Sequence, residues 1–288
     1  MNLHSIQPSL ISFALFLCGH VYAQQAASNA VQITTEVDQA AEKVIFISDN
    51  SDFCDYVVYL ELGARRNLKT VRPGKGELHR EKITQSMSYS GYKFAMYRGS
   101  IDKKPDIDFA YCLPIAKGNS LTMFANVFSD GYQMTFTFHS DTLYASRGGI
   151  VCNDVLTDFT AKGYQHFNDS RILKKITSYH NDGTFGEYVF MGQPLVFPGQ
   201  RVVMGQPIAV LEKNRLNYVS FAVYFLDKKK VNNQSTGNKH THFRPFFQTN
   251  NEGKLRLEED KIYFCELTTE MLMQDMSKRQ RKMLSKNK

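Results

Sequence analysis

The sequence predicts a mainly β protein with two domains, a β-sandwich followed by a second β-rich domain with a small barrel-like antiparallel sheet, and a short C-terminal helix. Runs in which apolar and polar residues alternate recur from Val31 to Cys265, as in half-buried strands. The 288 residues include 21 phenylalanines and 15 tyrosines, which favour sheets. A content of 42% hydrophobic and 22% charged residues excludes disordered and collagen-like chains.

Residues 1–23 are predicted to be a secretory signal peptide. The apolar stretch LISFALFL at 10–17 is too short to span a bilayer, and Val21-Tyr22-Ala23 has the small-residue pattern of a cleavage site. The segment before the apolar stretch contains no Lys or Arg, so an uncleaved membrane-surface anchor is the alternative. Either interpretation predicts a periplasmic or secreted protein.

The formal net charge of +7 is concentrated at the C-terminus. Residues 276–288 contain six basic and no acidic side chains, which leaves the rest of the chain close to neutral. Because nucleic-acid binders carry their basic residues on a folded face, this pattern argues against nucleic acid as a partner. The tail is expected to be solvated, or else to contact an anionic envelope surface such as lipid head groups or phosphate-bearing polymers.

Four cysteines follow the signal peptide: Cys54, Cys112, Cys152 and Cys265. In an oxidising compartment an even number predicts at least one disulfide, with buried free thiols as the alternative. Three connectivities are possible, and the spacing does not choose among them. There is no C-x-x-C pair, so zinc-ribbon and thioredoxin-type sites are not indicated.

The predicted N-terminal sandwich covers residues 24–108. Its strand-like runs are separated by polar or Gly/Pro-containing segments, and one of these, RPGKGE at 72–77, is predicted to be a hairpin turn rather than a phosphate loop. The polar stretch SIDKKPDID at 100–108 is the expected boundary. The strand-like runs are VQITTEV, KVIFIS, DYVVYLEL and YKFAMYRG.

The second domain is predicted over residues 109–266, followed by a helix and basic tail over 267–288. The helix is indicated by apolar Leu267, Met271 and Leu272 among charged residues, without Gly or Pro. Upstream, two Gly-Gln pairs in VFPGQRVVMGQPIA (196–209) predict tight turns, since glycine readily adopts positive φ.

Five phrases of the second domain occur in a fixed order. They are YCLPIAKGNSLTM at 111–123, YQMTFTFHSDTLYASRGGIV at 132–151, HNDGTFGEYVFM at 180–191, VFPGQRVVMGQPIA at 196–209 and YVSFAV at 218–223. In order and spacing they resemble the lysostaphin-type (LytM-like) zinc endopeptidases, a peptidoglycan-cutting family built on the duplicated hybrid motif. The resemblance implies a lysostaphin-like fold, and it implies a structural role for His180 in HNDGT.

The resemblance implies where a zinc site would lie, but this sequence has no zinc-ligating residues at the matching positions. The family supplies them from an H-x-x-x-D pair, the His of Y-x-H-L and both His of H-x-H. Transferred by position, these groups fall on Gly131, Thr135, Phe190, Tyr218 and Ser220. A Phe moves no proton and a Ser hydroxyl is a poor zinc ligand. We therefore expect no cofactor and no catalytic residue, and a vestigial groove in which Phe190 and Tyr218 either fill space or stack on a sugar.

This pattern predicts a catalytically inactive homologue that binds cell-wall glycan-peptide or an envelope protein. A purely structural module, with binding by the sandwich or the tail, is a further possibility. The alternative is a zinc endopeptidase with rearranged ligands. His240-Thr241-His242 has the H-x-H form, and alternating strand residues share a face. This alternative draws its ligands from His139, Asp141, His240 and His242.

Overall fold

Strands make up most of the chain between Val31 and Phe264. The structure is a computed structural model, and it describes residues 30–62, 65–83, 92–128, 131–154, 159–160, 172–213, 215–232 and 237–276. It confirms a mainly β protein, with 55% strand and 5% helix in several antiparallel sheets. The predicted signal peptide and the basic residues of the tail lie outside the described residues, so both stay predictions. Within those residues, no helix is long and apolar enough to cross a membrane.

Six strands precede residue 99 and form two three-stranded antiparallel sheets, with orders β1-β2-β5 and β4-β3-β6. The two sheets bury a shared apolar cluster that includes Phe46 from one sheet and Tyr56 and Leu60 from the other. The strands are β1 (Val31–Asp38), β2 (Lys43–Asn50), β3 (Tyr56–Leu62), β4 (Arg65–Val71), β5 (Gly74–Lys82) and β6 (Tyr92–Arg98).

The hairpin predicted at RPGKGE is wrong. β4 ends at Val71 and β5 begins at Gly74, but the two strands belong to different sheets. The chain therefore crosses between the sheets here. Gly74 has φ of 95°, a conformation that a side chain disfavours, and this lets the chain change direction within two residues.

No described strand lies between β6 and β7, and the remaining strands form three further sheets. The largest has the order β16-β11-β13-β14-β18-β9-β8-β22, with β12 on β13 and β19 on β18; the smaller ones are β10-β17-β15 and β21-β20-β7. The elements are β7 (Ala110–Cys112), β8 (Ser120–Phe128), β9 (Gly131–Phe138), β10 (Thr142–Tyr144), β11 (Gly149–Val151), β12 (Phe159–Thr160), β13 (Ile172–Tyr179), β14 (Thr184–Phe190), β15 (Gln193–Pro194), β16 (Arg201–Val202), β17 (Pro207–Val210), β18 (Asn217–Leu226), α1 (Lys228–Asn232), β19 (His240–His242), β20 (Phe246–Thr249), β21 (Gly253–Leu255), β22 (Ile262–Phe264) and α2 (Thr269–Gln274).

The expected barrel is not formed by the described residues, in which no closed barrel is detected. The large sheet is open because its end strands, β16 and β22, are two and three residues long and each pairs on one side only. One face of this sheet covers the main apolar core, which includes Phe136, Phe190 and Phe221.

The two predicted Gly-Gln turns are confirmed. Gly199 and Gly205 have φ of 83° and 75°. In each turn the Gln backbone N–H donates to the carbonyl three residues earlier, and the Gln side-chain oxygen accepts from the N–H of that same earlier residue. These two turns flank β16 and position it against β11.

The predicted C-terminal helix is present as α2, which begins at Thr269, two residues after the first apolar residue of the predicted pattern, Leu267. The Thr268 hydroxyl caps it by accepting from the Met271 N–H, and Met271 is buried. Arg147 anchors its end through an ion pair of 3.2 Å with Asp275. The helix therefore packs on the large sheet.

Candidate functional site

The large sheet has a second face, on the side away from the main core, formed by alternate side chains of β13, β14, β18 and β9. Thr135 and Ser220 lie directly opposite each other on β9 and β18, and Ser220 lies opposite Val189 on β14. Because side chains alternate along a strand, this row shares one face. The structure therefore places Thr135 and Ser220, two of the five positions that the resemblance assigns to the zinc site, directly opposite each other.

Of the other three predicted positions, Tyr218 lies beside this pair on the same face, whereas Phe190 and Gly131 lie away from it. Phe190 points to the opposite face, where it is fully buried in the main core. Tyr218 lies on the second face and packs with Leu173 and Val189. Gly131 begins β9, opposite Phe128. The expected aromatic groove between Phe190 and Tyr218 is thus not formed, since neighbouring strands place them on opposite faces.

The Thr135–Ser220 position does not fit a catalytic zinc. Such a metal requires three imidazole, thiolate or carboxylate ligands and an open position for water. Here the side chains are two hydroxyls and the neighbouring Val189. Thr135 is 1% and Ser220 2% exposed, so the position is closed to solvent. The Ser220 hydroxyl has no hydrogen-bond partner in the described part of the chain.

The rearranged zinc site is not assembled either. His139 follows β9, whose last residue Phe138 lies opposite Asn217, whereas His242 lies opposite Tyr224. These two positions on β18 are seven residues apart, roughly 23 Å along a strand. Zinc–ligand bonds are only about 2 Å long, so the two halves of the site do not meet.

Each half of the rearranged site has partners of its own. The rings of His240 and His242 both contact Tyr224, with centroid separations of 5.2 and 5.0 Å. His240 Nε2 donates to the Arg98 carbonyl at 2.8 Å. Burial lowers the pKa of His240 to about 4, so its ring is neutral near pH 7. At the other end of β18, Asp141 accepts from the Thr142 hydroxyl at 2.9 Å.

Charged side chains instead gather where the second face meets the N-terminal sheets, and we name this set the interface ion cluster. Arg98 contacts Asp52 at 2.9 Å and Asp154 at 3.0 Å. Lys175 contacts Asp154 at 3.1 Å and Glu187 at 3.8 Å. The members are Asp52, Arg98, Asp154, Lys175 and Glu187.

The electrostatics of the cluster are those of a paired network. Burial raises the pKa of Glu187, and the Lys175 charge offsets part of this effect. Burial also opposes ionisation of Asp154, but Arg98 and Lys175 outweigh it and lower the pKa of that carboxyl. Every member of the cluster thus has an oppositely charged partner, and these ion pairs join the two parts of the chain.

A second polar site surrounds His180, whose predicted structural role fits its environment. The ring is 1% exposed, and its Nδ1 donates to the Gly148 carbonyl at 2.8 Å. Burial, together with the nearby Arg147 charge, lowers its pKa to about 3. Arg147 in turn pairs with Asp182 at 3.1 Å. A neutral, enclosed ring of this kind supports the HNDGT turn.

A cleft of about 520 Å³ lies in the N-terminal part, between the β4–β5 crossing and the segment after β6. Lys103 pairs there with Asp55 at 3.1 Å, and Lys69 donates to the Glu77 carbonyl at 2.9 Å. Arg72 and Lys75 are exposed. The cleft therefore presents cationic side chains to solvent. It is lined by Ser48, Asp55, Lys69, Thr70, Val71, Arg72, Pro73, Gly74, Lys75, Gly76, Glu77, Ser100, Asp102 and Lys103.

The interface ion cluster and the cleft were not predicted from the sequence. Lys175 follows Lys174 in β13, and Glu187 is the one charged residue of β14; a charged side chain on a strand indicates an exposed position when the covering layer is unknown. A signal was nevertheless present, because FGEYVF places one carboxylate inside an otherwise apolar run. Comparisons of this chain with protein-family models, with curated proteins and with solved structures found no match.

Proposed function

We propose that this chain is a non-catalytic homologue of the lysostaphin-type endopeptidases that binds cell-wall glycan-peptide in the bacterial envelope. One observation carries the proposal: the Thr135–Ser220 position, where the resemblance requires zinc ligands, is buried and holds only hydroxyls. The proposal includes the finer fold, an N-terminal β-sandwich followed by a lysostaphin-like domain.

The order of the strands supports this relationship. The strands that would carry the zinc ligands, β14, β18 and β9, are immediate neighbours in the large sheet. A ligand set drawn from these three strands requires that adjacency, because only neighbouring strands bring side chains within about 5 Å of each other. The chain thus has the strand adjacency that such a site needs, although Phe190, the β14 position, faces the main core.

The cleft in the N-terminal part is the proposed binding site. Cell-wall peptides carry carboxylates and their glycans carry hydroxyl and amide groups. Arg72 and Lys75 present cationic donors for the former, and the peptide groups of residues 72–76 present polar donors and acceptors for the latter. Neither Thr135 nor Ser220 lines this cleft, so the proposed binding does not require the closed position to open.

Zinc content and hydrolysis test the non-catalytic part. The mature protein is incubated with excess zinc, dialysed and measured by elemental analysis, and released dye is followed from labelled peptidoglycan. We expect no stoichiometric zinc and no release above a heat-treated sample. One zinc per chain that is lost in His242→Ala, with hydrolysis, would contradict the proposal and restore the endopeptidase interpretation.

Co-sedimentation with purified insoluble peptidoglycan tests the binding part. We expect Arg72→Ser/Lys75→Ser to weaken binding about tenfold, equivalent to about 1.4 kcal/mol. The matched control is Lys213→Ser/Arg215→Ser, which removes the same charge from an exposed segment of the second part. Equal binding by both double variants, or no sedimentation of the wild-type protein, contradicts the proposal; in the second case an envelope protein becomes the candidate partner.

A further inference from the structure

The four described cysteines lie in two buried pairs. Cys54 and Cys152 place their sulfurs and an Asp52 carboxylate oxygen all within 4.8 Å of one another. Cys112 and Cys265 both direct their sulfurs to the Leu113 carbonyl, at 3.0 and 3.7 Å. All four are free thiols in the structure, and no more than 1% of any is exposed.

Backbone contacts hold the first pair together across the two parts of the chain. Cys54 lies two residues before the start of β3, and its carbonyl accepts from the Asn50 side-chain amide at 2.9 Å. Cys152 directly follows β11, and its N–H donates to the Thr177 carbonyl at 2.8 Å. Asp52 bridges the two segments by accepting from the Asn153 N–H at 2.8 Å.

Backbone contacts also hold the second pair. Cys112 is the last residue of β7, and its N–H donates to the Ser146 carbonyl at 2.9 Å. Cys265 follows β22, and its N–H donates to the Asn119 carbonyl at 2.8 Å. The two sulfurs are therefore adjacent because the folded backbone places them there, not because they are close in sequence.

We propose that the two pairs form disulfides, Cys54–Cys152 and Cys112–Cys265, when the chain folds in the presence of a disulfide oxidant. Of the three connectivities that four cysteines allow, this interleaved one is the only one that joins adjacent sulfurs. For each bond, two thiols lose two protons and two electrons, and the oxidant's disulfide accepts them and is released as two thiols. The pairing does not depend on the proposed function; only the supply of oxidant depends on an envelope location.

In the folded chain the Cys54 thiol donates to an Asp52 carboxylate oxygen at 3.3 Å, and burial raises the pKa of that thiol. The folded environment therefore favours the Cys54 thiol over its thiolate. During oxidation, Cys54 or Cys152 loses its proton, and that thiolate attacks one sulfur of the oxidant and expels the other as a thiolate. The other cysteine then loses its proton, attacks the sulfur of the first, and releases the second oxidant sulfur. Since both side chains are fully buried, this exchange occurs before the two parts of the chain have packed.

A metal ion is the competing explanation for Asp52, Cys54 and Cys152. Arg98 makes this set a poor cation site, because its guanidinium already contacts both Asp52 and Cys54 at 2.9 and 3.3 Å. A bound divalent cation at this position faces that positive charge at close range. The second pair has no third ligand at comparable distance in the described part of the chain.

Peptide mapping tests the pairing. The reduced, unfolded full chain is refolded with oxidised glutathione and EDTA, alkylated in denaturant, digested without reductant and analysed by mass spectrometry. We expect two cross-linked peptide pairs, 54 with 152 and 112 with 265, and no alkylated cysteine at these positions. Any other pairing, or four alkylated thiols, would overturn the proposal, as would a metal that survives EDTA.

Two cysteine variants test whether the pairs form independently, and protein isolated from its producing cells separates this proposal from the proposed function. Cys54→Ser should leave Cys152 alkylated while 112–265 still forms, and Cys112→Ser should have the reciprocal effect; loss of both bonds in either variant contradicts independent pairs. Full chain isolated from its producing cells should show the same map. If refolded protein forms both bonds but the isolated protein contains four thiols, the pairing stands and the envelope location fails.

Reduction of the oxidised chain is expected to lower its Tm by about 10 °C.

Discussion

His180 is a buried titratable group whose pKa links stability to pH. Its ring is enclosed by Gly149 and Gly186, at which an added Cβ would lie 3.0 and 3.1 Å from the ring nitrogens. Burial lowers its folded pKa to about 3 from 6.5. The unfolded chain therefore binds a proton below pH 6.5 that the folded chain does not accept. The stabilisation is fully present above pH 6.5 and is lost progressively as pH falls towards 3.

We expect His180→Gln to reduce this pH dependence. In the wild-type protein, His180 alone should lower the free energy of unfolding by about 2 kcal/mol between pH 7 and pH 5. The variant has no titrating ring, so its loss over the same range should be smaller by that amount, whatever its stability at pH 7. Urea unfolding at both pH values measures the difference. His79→Gln is the control, since His79 is not fully buried, and an unchanged pH dependence in His180→Gln contradicts the argument.

The sequence predicted which residues occupy the expected zinc-ligand positions more reliably than where their side chains point. The absence of imidazole or carboxylate at Thr135, Phe190 and Ser220 is read directly from the sequence. The face of the sheet to which each side chain points cannot be read in this way, because a transferred motif gives positions along strands and not faces. This is why Phe190 and Tyr218 were paired in the prediction but lie on opposite faces.

Helix α2 depends on tertiary contacts for its stability, among them the ion pair between Arg147 and Asp275. With six residues it is too short to be stable alone. Arg147, 4% exposed at its side chain, contacts Asp182 and Asp275, which are 13% and 16% exposed. Its guanidinium also lies 3.6 Å from the centre of the Phe109 ring. One arginine thus connects the helix, the HNDGT turn and the strand region near β7.

Replacing Arg147 should be costly. We expect Arg147→Leu to lower the free energy of unfolding by about 3–5 kcal/mol, because it leaves two largely enclosed carboxylates without their cation. The control is Arg215→Leu, whose partner Glu212 is exposed and whose pair contributes at most about 0.5 kcal/mol. Chemical denaturation followed by circular dichroism measures both. Similar losses in the two variants would show that Arg147 is not a specific anchor.

Strands and turns were predictable because their signals are local. Alternation located β1, β2, β3 and β6, and Gly-Gln pairs located two turns. Partners were not predictable, since pairing depends on residues far away in the sequence. At 72–77 the Pro-Gly sequence is as compatible with a hairpin as with a crossing between sheets. The structure has the crossing, because β4 and β5 belong to different sheets. The same limit applies to the barrel, because closure depends on which end strands meet.

The two parts of the molecule are joined by apolar contacts as well as charges. β3 is buried on both sides: Val58 packs within the N-terminal cluster, while Val57 packs with Leu226 and Val231 of the second part. Gly99 allows this approach, because an added Cβ there would lie 2.7 Å from the Cβ of Leu226. The boundary predicted near residue 108 therefore separates two sets of sheets that share their cores.

Arg98 makes ion pairs with both parts of the chain. Replacing it therefore tests whether the two parts stabilise each other. Asp52 belongs to the N-terminal part and Asp154 to the second part, and the arginine pairs with both. In Arg98→Met the Asp52 carboxylate, 2% exposed, loses its cation, so we expect the free energy of unfolding to fall by about 3–5 kcal/mol.

The matched control for Arg98→Met is Arg66→Met in β4 of the same sheet. Its ion pair with Glu61 is 3.7 Å long, the two side chains are 63% and 28% exposed, and such a pair contributes at most about 1 kcal/mol. Adding Asp52→Asn to Arg98→Met should recover part of the loss, because the uncompensated charge is removed. Urea unfolding is monitored by circular dichroism and by tyrosine fluorescence. If Arg98→Met costs no more than Arg66→Met, the cluster does not couple the two parts, and the shared apolar contacts of Val57, Leu226 and Val231 alone hold them together.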